Sequence, residues 1–258
     1  MSALAVPERA LPALERSALH QRLHDNQLTI ASQHRGGLSR RADGVEILSG
    51  DDALRYVVLE APLAAPLPEG CHSVRVMPWA GDVTRQLRLL GFYPQGDLLY
   101  MSLQGELPAA PRVAGYRLER ALTPEAIEAF TDIQLDAFPG LPRTRGPRFD
   151  FLLASQMRHL SDPSHYYLLG HVGERAVSAG LLLRTAGVGG IYSLATRGPF
   201  RGQGMSQVLL AHLVHEARSS GCDVIALQVH AGALAERLYR RLGFQQEFRV
   251  TVFERCGA

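Results

Sequence analysis

The run Arg201-Gly202-Gln203-Gly204-Met205-Ser206 has the residue types of an anion cradle. Its two glycines let the backbone turn tightly and come close to a ligand. The N–H groups that open a following helix have no partner within it and carry partial positive charge, and phosphate is the anion they usually meet. Arg201 adds a full charge at the mouth. Two common phosphate loops fail on spacing. A Walker loop needs Gly-x4-Gly-Lys-Ser/Thr, and the chain contains no lysine. A dinucleotide loop needs Gly-x-Gly-x-x-Gly, and Gln207 stands at the third glycine.

The cradle needs a strand before it and a helix after it, and the pattern supplies both. Residues 190–196, Gly-Ile-Tyr-Ser-Leu-Ala-Thr, read as an apolar strand. Residues 206–220 read as a helix, with Leu210, Leu213, Val214 and Ala217 at the spacing of one buried face. A second unit follows about thirty residues on. Residues 224–230 form an apolar strand ending in His230, and 234–242 form a helix with Leu234, Leu238 and Leu242 along one face. Gly243 is placed to close that helix in a left-handed cap.

The two units resemble two signatures of the GCN5-related N-acetyltransferases. The loop is similar to Arg/Gln-x-x-Gly-x-Gly/Ala: Arg201 and Gly204 match, and Ser206, also small, stands where Gly or Ala is usual. The second unit is similar to the closing Ala-x-x-Leu-Tyr-x-x-Leu-Gly-Phe, which here spans 235–244. The resemblance covers roughly residues 116–255 and implies an α/β fold on a mixed sheet. It implies acetyl-CoA as cosubstrate and no metal. It implies that the pyrophosphate meets Arg201, Gly202, Gln203, Gly204, Met205 and Ser206. The pantetheine arm would pair with backbone groups of Leu194, Ala195 and Thr196, with the Thr196 N–H as oxyanion donor. Tyr239 would lie near the sulfur and protonate the departing thiolate; a phenol with a pKa near ~10 is protonated at neutral pH. Its alternative is a core tyrosine packing the last helix. His230 ends the strand that splays from the cofactor strand, and its imidazole, titrating near ~6.5, suits a general base. Its alternatives are a structural histidine or base work through water. Gly232 replaces the asparagine often found seven residues before the tyrosine, so one side-chain contact to the cofactor arm is lost.

Composition narrows the class. The chain has 258 residues, 46% of them apolar, and a net charge of +2. No apolar run reaches the ~18 residues of a membrane span, and the first residues lack the basic start and apolar core of a secretory signal. Cys71, Cys222 and Cys256 have neither metal spacing nor the pattern of a disulfide framework, which suits a reducing, cytoplasmic setting. The small net charge makes no case for nucleic acid. All 27 basic side chains are arginine, so no lysine Schiff base is available.

The Pro- and Ala-rich stretch 107–115 reads as a linker between residues 1–106 and a catalytic domain at 116–258. In the latter, Thr123 and Pro124 start a helix, 139–147 is a loop with three prolines and two glycines, and 149–159 is a second helix. A hairpin follows, turned at Gly173-Glu174. Asp136 and Asp150 border the Pro-rich loop and could receive a cationic acceptor. His165 and His171 flank a hairpin strand as surface or packing residues. The first half carries an echo: strand 73–79, helix 83–90, Gly91-Phe92, then strand 97–103. Aligning Gly91 with Gly243 puts Leu87 opposite Tyr239, and no Arg-Gly-x-Gly precedes it. This reads as a smaller, truncated acetyltransferase-like half without a cofactor site; the alternative is a common βαβ pattern. The basic and His residues of 11–24 read as a solvated helix face.

The expected activity is N-acetyl transfer from acetyl-CoA to a primary amine, on a small molecule or a peptide. The competing expectation is an acyl-CoA-binding sensor or assembly module without catalysis. An exposed sheet edge and the spare half-domain leave room for a homodimer.

Overall fold

In a computed structural model, which describes residues 16–49, 55–137 and 145–255, eleven strands form one sheet. The first half supplies α1 (Ala18–Arg35), β1 (Leu38–Arg41), β2 (Gly44–Ile47), β3 (Tyr56–Leu59), β4 (Ser73–Val76), α2 (Thr84–Leu89) and β5 (Phe92–Leu103). The second supplies β6 (Tyr116–Arg120), α3 (Pro124–Ala137), α4 (Pro147–Arg158), β7 (His165–Val172), β8 (Arg175–Thr185), β9 (Val188–Thr196), α5 (Met205–Ser219), β10 (Val224–His230), α6 (Leu234–Arg241) and β11 (Phe244–Arg255). The strand order is β1-β2-β3-β4-β11-β5-β10-β9-β8-β7-β6. Most of the expected loop at 139–147, and Cys256, lie outside the described residues. No described helix is long and apolar enough to cross a membrane.

The order contains an exchange. β5, the last strand of the first half, lies between β10 and β11; β11, the last strand of the chain, lies between β5 and β4. β5 and β11 are antiparallel partners from Phe92 opposite Arg255 to Leu103 opposite Phe244. The sheet is matched on either side of this pair. β3 and β4 are parallel, as are β9 and β10, and β4 and β10 each pair antiparallel with the other half's last strand. The echo in sequence has a counterpart here: α2 and α6 each bury a single side chain, Leu87 and Tyr239, and each is followed by a glycine at positive φ, Gly91 and Gly243. Residues 107–115, expected as a linker, lie in no helix or strand, and one sheet runs through the elements on either side of them.

Strand alternation sends Ile225, Leu227 and Val229 into one apolar cluster with α5 and Tyr239, and Ala226 into another with Leu23 and Leu28 of α1. α5 seats four large side chains there, Leu209, Leu210, Leu213 and Val214. It comes close because β8 offers no side chain at Gly180. A Cβ there would lie 2.5 Å from Leu209 Cδ2 and 2.9 Å from Leu213 Cδ1. Gly180→Ala is therefore expected to overpack this contact and cost about 1–3 kcal/mol, read as a lower urea midpoint at unchanged slope.

The face of α1 departs from the sequence reading. His24 is 1% exposed, and its Nε2 lies 2.7 Å from Glu60 Oε1. His20 stacks on Trp79, with ring centroids 6.1 Å apart. Polar residue type suggested solvent; packing under Trp79 and Phe248 overrides it, and Glu60 takes His24 Nε2 while His24 Nδ1 has no partner among the described residues.

Candidate active site

β9 and β10 pair only from Val188 opposite Val224 to Ile191 opposite Leu227. Beyond that point β9 stays with β8 while β10 follows β5 on its other side. The two strands part, and a gap opens at Tyr192–Thr196. Strand β9 bulges at its start, between Tyr192 and Ala195, where Ser193 takes φ +51°. A hydrogen-bond relay supports the bulge: Gln134 donates to Ser193 Oγ at 3.1 Å, and Gln156 donates to Gln134 at 2.7 Å. Thr131 donates to Gln156 at 2.7 Å. Ser193, Gln134 and Gln156 escaped the sequence reading, since neither a bulge nor a relay across two helices leaves a periodic signal.

The antiparallel ladder fixes which backbone groups face the gap. Arg197 N–H donates to Val177 O at 2.9 Å. Hydrogen-bonded and open pairs alternate along such a ladder, so Ala195 also spends its groups on β8. Leu194 and Thr196 turn theirs toward the gap. Of the three residues expected to meet the cofactor arm, Leu194 presents its backbone edge, Thr196 presents its N–H alone, and Ala195 presents neither group. Thr196 O accepts from Arg201 Nε at 2.8 Å, and the buried Thr196 Oγ1 has no partner among the described residues.

A short 3-10 turn, Gly198–Phe200, carries the chain from β9 to the loop. Gly202 and Gly204 have φ of +78° and +82°, and Gly204 caps α5 with no side-chain bond. The result is five consecutive backbone N–H groups, Gly202 through Ser206, with no acceptor among the described residues. Arg201 also has a structural task. Its guanidinium donates to Thr196 O at 2.8 Å and to Ala137 O at 3.1 Å. The side chain ties the loop to the ends of β9 and α3, and its charge adds to the positive potential of the N–H groups and the helix end. The linker crosses here, and a Cβ on Gly204 would lie 2.7 Å from Pro111 Cγ.

Tyr239 is 7% exposed and packs on Phe244 with ring centroids 5.9 Å apart. Its hydroxyl makes no hydrogen bond to a described residue. Burial pushes its pKa up to about 12. His230, the exposed last residue of β10, sits opposite Leu98 of β5. By alternation it lies on the other face of the sheet from Val229 and Tyr239. The imidazole and the phenol thus flank the strand that bounds the gap, one from each side. Gly232 has φ +80°, and its N–H donates to Glu236 at 2.7 Å, which fixes the turn into α6. Leu234 is 83% exposed, so the expected apolar face of α6 is carried by Leu238, Tyr239 and Leu242 instead. Asp136 is paired with Arg197 at 3.2 Å. At the root of the gap, a cavity of about 10 Å³ is lined by Asn26 of α1, Tyr100, Tyr192 and Gln228. Asn26 accepts from Tyr192 at 2.5 Å, so the first half builds one wall beside the gap.

Residues 127–244 match the family model described as acetyltransferase (GNAT) family. Among solved structures, a GCN5-related N-acetyltransferase from Kribbella flavida is similar over 92% of this chain and 96% of its own, at 17% identity and a TM-score of 0.64. A GCN5-related N-acetyltransferase from Sphaerobacter thermophilus is 26% identical over 70% of this chain, with a TM-score of 0.57; the match spans 58% of that protein. A Drosophila protein is similar over 94% of this chain and 92% of its own, at 14% identity and a TM-score of 0.59. No curated protein matches the sequence.

Proposed function

We propose that this chain, whose residues 127–244 belong to the acetyltransferase (GNAT) family, transfers the acetyl group of acetyl-CoA to a primary amine. Family and fold imply acetyl transfer; the acceptor class and the residue roles are our reading. The observation that carries it is the run of five unpartnered N–H groups at the head of α5, beside a gap between parallel strands. The first fits a pyrophosphate. The second fits an extended amide arm that pairs with Leu194 and leaves the Thr196 N–H for the thioester oxygen.

In this reading the amine enters from the α1 face and attacks the thioester carbon. Holding both reactants in the gap contributes up to ~7–11 kcal/mol through orientation. The Thr196 N–H meets the developing oxyanion. His230 takes the proton that the amine nitrogen loses, directly or through water. The carbon–sulfur bond breaks, and Tyr239 gives its proton to the sulfur from the opposite face. The first half, residues 1–106, acts as a truncated acetyltransferase-like partner that walls the acceptor side and completes the sheet. Free CoA and the acetylated amine leave.

The competing reading, an acyl-CoA sensor, is favoured by the lost contact at Gly232 and disfavoured by the retained phenol. Calorimetric titration of acetyl-CoA, followed by CoA release across a broad amine panel, separates the two. Binding with turnover on an amine is the expected result. Binding without turnover on any amine selects the sensor, and no binding overturns both.

A further inference from the structure

The histidines at the junction of α1, α4 and β7 form a cluster that the acetyl-transfer reading does not use. Two consecutive turns join α4 to β7: Asp162 N–H donates to His159 O at 3.2 Å, and His165 N–H to Asp162 O at 3.0 Å. This spacing brings His159, Asp162 and His165 to one side, with one ligand atom from each within 4.8 Å of the others. Asp162 Oδ2 lies 3.7 Å from His159 Nδ1 and 3.3 Å from His165 Nδ1.

The remaining ring nitrogens decide what occupies that point. His159 Nε2 lies 3.2 Å from the carbonyl of Gln33. A carbonyl only accepts, so the proton of a neutral ring sits on Nε2, and Nδ1 presents a lone pair. His165 Nε2 faces His34 Nε2 at 3.2 Å, and His34 Nδ1 faces Ser155 Oγ at 3.3 Å. A proton on His165 Nε2 given to His34, with His34 Nδ1–H given to Ser155, leaves His165 Nδ1 with a lone pair; the reverse placement makes Nδ1 a donor to Ser164 Oγ, 3.1 Å away, and to Asp162. Asp162 Oδ1 accepts from the Ser164 hydroxyl at 2.7 Å and from the Ser164 backbone N–H at 2.9 Å, which leaves Oδ2 facing the two rings. In the first placement the two Nδ1 lone pairs and Asp162 Oδ2 lie together with no proton between them, and one cation satisfies all three.

We propose that His159, Asp162 and His165 form a binding site for a divalent transition-metal ion of the zinc class. Two imidazoles and a carboxylate suit zinc and its neighbours rather than magnesium or calcium. The two separations from Asp162 Oδ2, 3.3 and 3.7 Å, bracket the roughly 3.4 Å edge of a tetrahedron with bonds near 2.0–2.1 Å, and all three ligand atoms lie within 4.8 Å of one another. The outer contacts have the usual form, with each ligating ring giving its other nitrogen to a fixed partner. Both partners, Gln33 and His34, belong to α1. The ion clips the helix of the first half to the α4–β7 turn of the second. His165 pairs with Leu183, which pairs with Gly190. The site is therefore two strands away from β9 and level with the closed part of the β9–β10 pair, so its role is structural.

The test uses untagged, chelator-stripped, full-length protein. Calorimetry with Zn²⁺ is expected to give one ion per chain, with Tm raised by roughly 5–10 °C at a hundredfold excess over Kd. Mg²⁺ is expected to do nothing, and Co²⁺ to bind with visible absorption. Asp162→Asn and His159→Gln, both at partly exposed positions, are expected to weaken Zn²⁺ binding beyond the about 10–100-fold cost of an outer contact. His212→Gln, on α5, should leave it unchanged. Absence of saturable Zn²⁺ binding in the wild type overturns the proposal, as does undiminished binding in both ligand variants. Acetyl transfer is not the readout, so failure here leaves the proposed function standing.

Discussion

Tyr239→Phe is expected to lower kcat for acetyl transfer by about 10²–10⁴-fold, the range of general acid catalysis. The KM for acetyl-CoA should change little, because the phenol acts on sulfur as the bond breaks and not on the bound ground state. Stability should also change little. The hydroxyl has no hydrogen bond to a described residue, and the ring keeps its place against Phe244. The pH dependence gives a second, independent readout. Burial holds the phenol at about 12, so the protonated, active form persists as pH rises and is lost only through that value. No descending limb in kcat below about pH 11 should belong to Tyr239. The stability sign is the same. The folded state prefers the neutral phenol, so its contribution is complete below the unfolded pKa near ~10 and is lost as pH climbs from about 10 to 12. Tyr239→Phe should therefore flatten the alkaline fall in Tm. Steady-state CoA release, run from pH 6 to 10 on both proteins with an amine that turns over, reads the first effect; alkaline melting reads the second. An unchanged kcat would remove Tyr239 as the acid.

Much of this architecture is legible in the sequence because it rests on local signals. The 3.6-residue period over α5, the alternation through β10 and the glycine after α6 each follow from side-chain size and backbone freedom over a few residues. Thr123 reads as a cap for the same reason, and Ala126 N–H does donate to its hydroxyl at 3.2 Å. What escapes is everything set by long-range pairing. Nothing in residues 92–103 says that they lie between two strands of the other half, because β pairing carries little local information. His24 reads as a solvent residue until Glu60 arrives from another element. Arg201 reads as a charge at the loop's mouth, and its bonds to Thr196 and Ala137 carry no local signal. His159, Asp162 and His165 are spaced by three and could have been noticed, but a helix end, a proline and a strand start lie between them. Their convergence depends on two turns that no periodicity announces.

Gly204→Glu is expected to weaken acetyl-CoA binding at least about 100-fold in calorimetry while leaving the protein folded. Three effects act together. The residue sits at φ +82°, where a side chain costs roughly 1–2 kcal/mol. Its Cβ would lie 2.7 Å from Pro111 Cγ, so either the linker or the loop must move. The new carboxylate would stand among the N–H groups meant for phosphate and both repel and replace it. The last effect separates binding from stability, because a carboxylate at a helix N-terminus favours the helix. The variant should lose much more affinity than its Tm implies. Gly202→Ala isolates the backbone component. Gly202 has φ +78°, but nothing lies within 4 Å of its Cβ position, so only strain is added and about a tenfold loss is expected. Gly204→Ala adds the Pro111 contact without charge and should fall between the two. If all three variants bind acetyl-CoA like the wild type, the pyrophosphate is held elsewhere, and the loop is only the turn that starts α5.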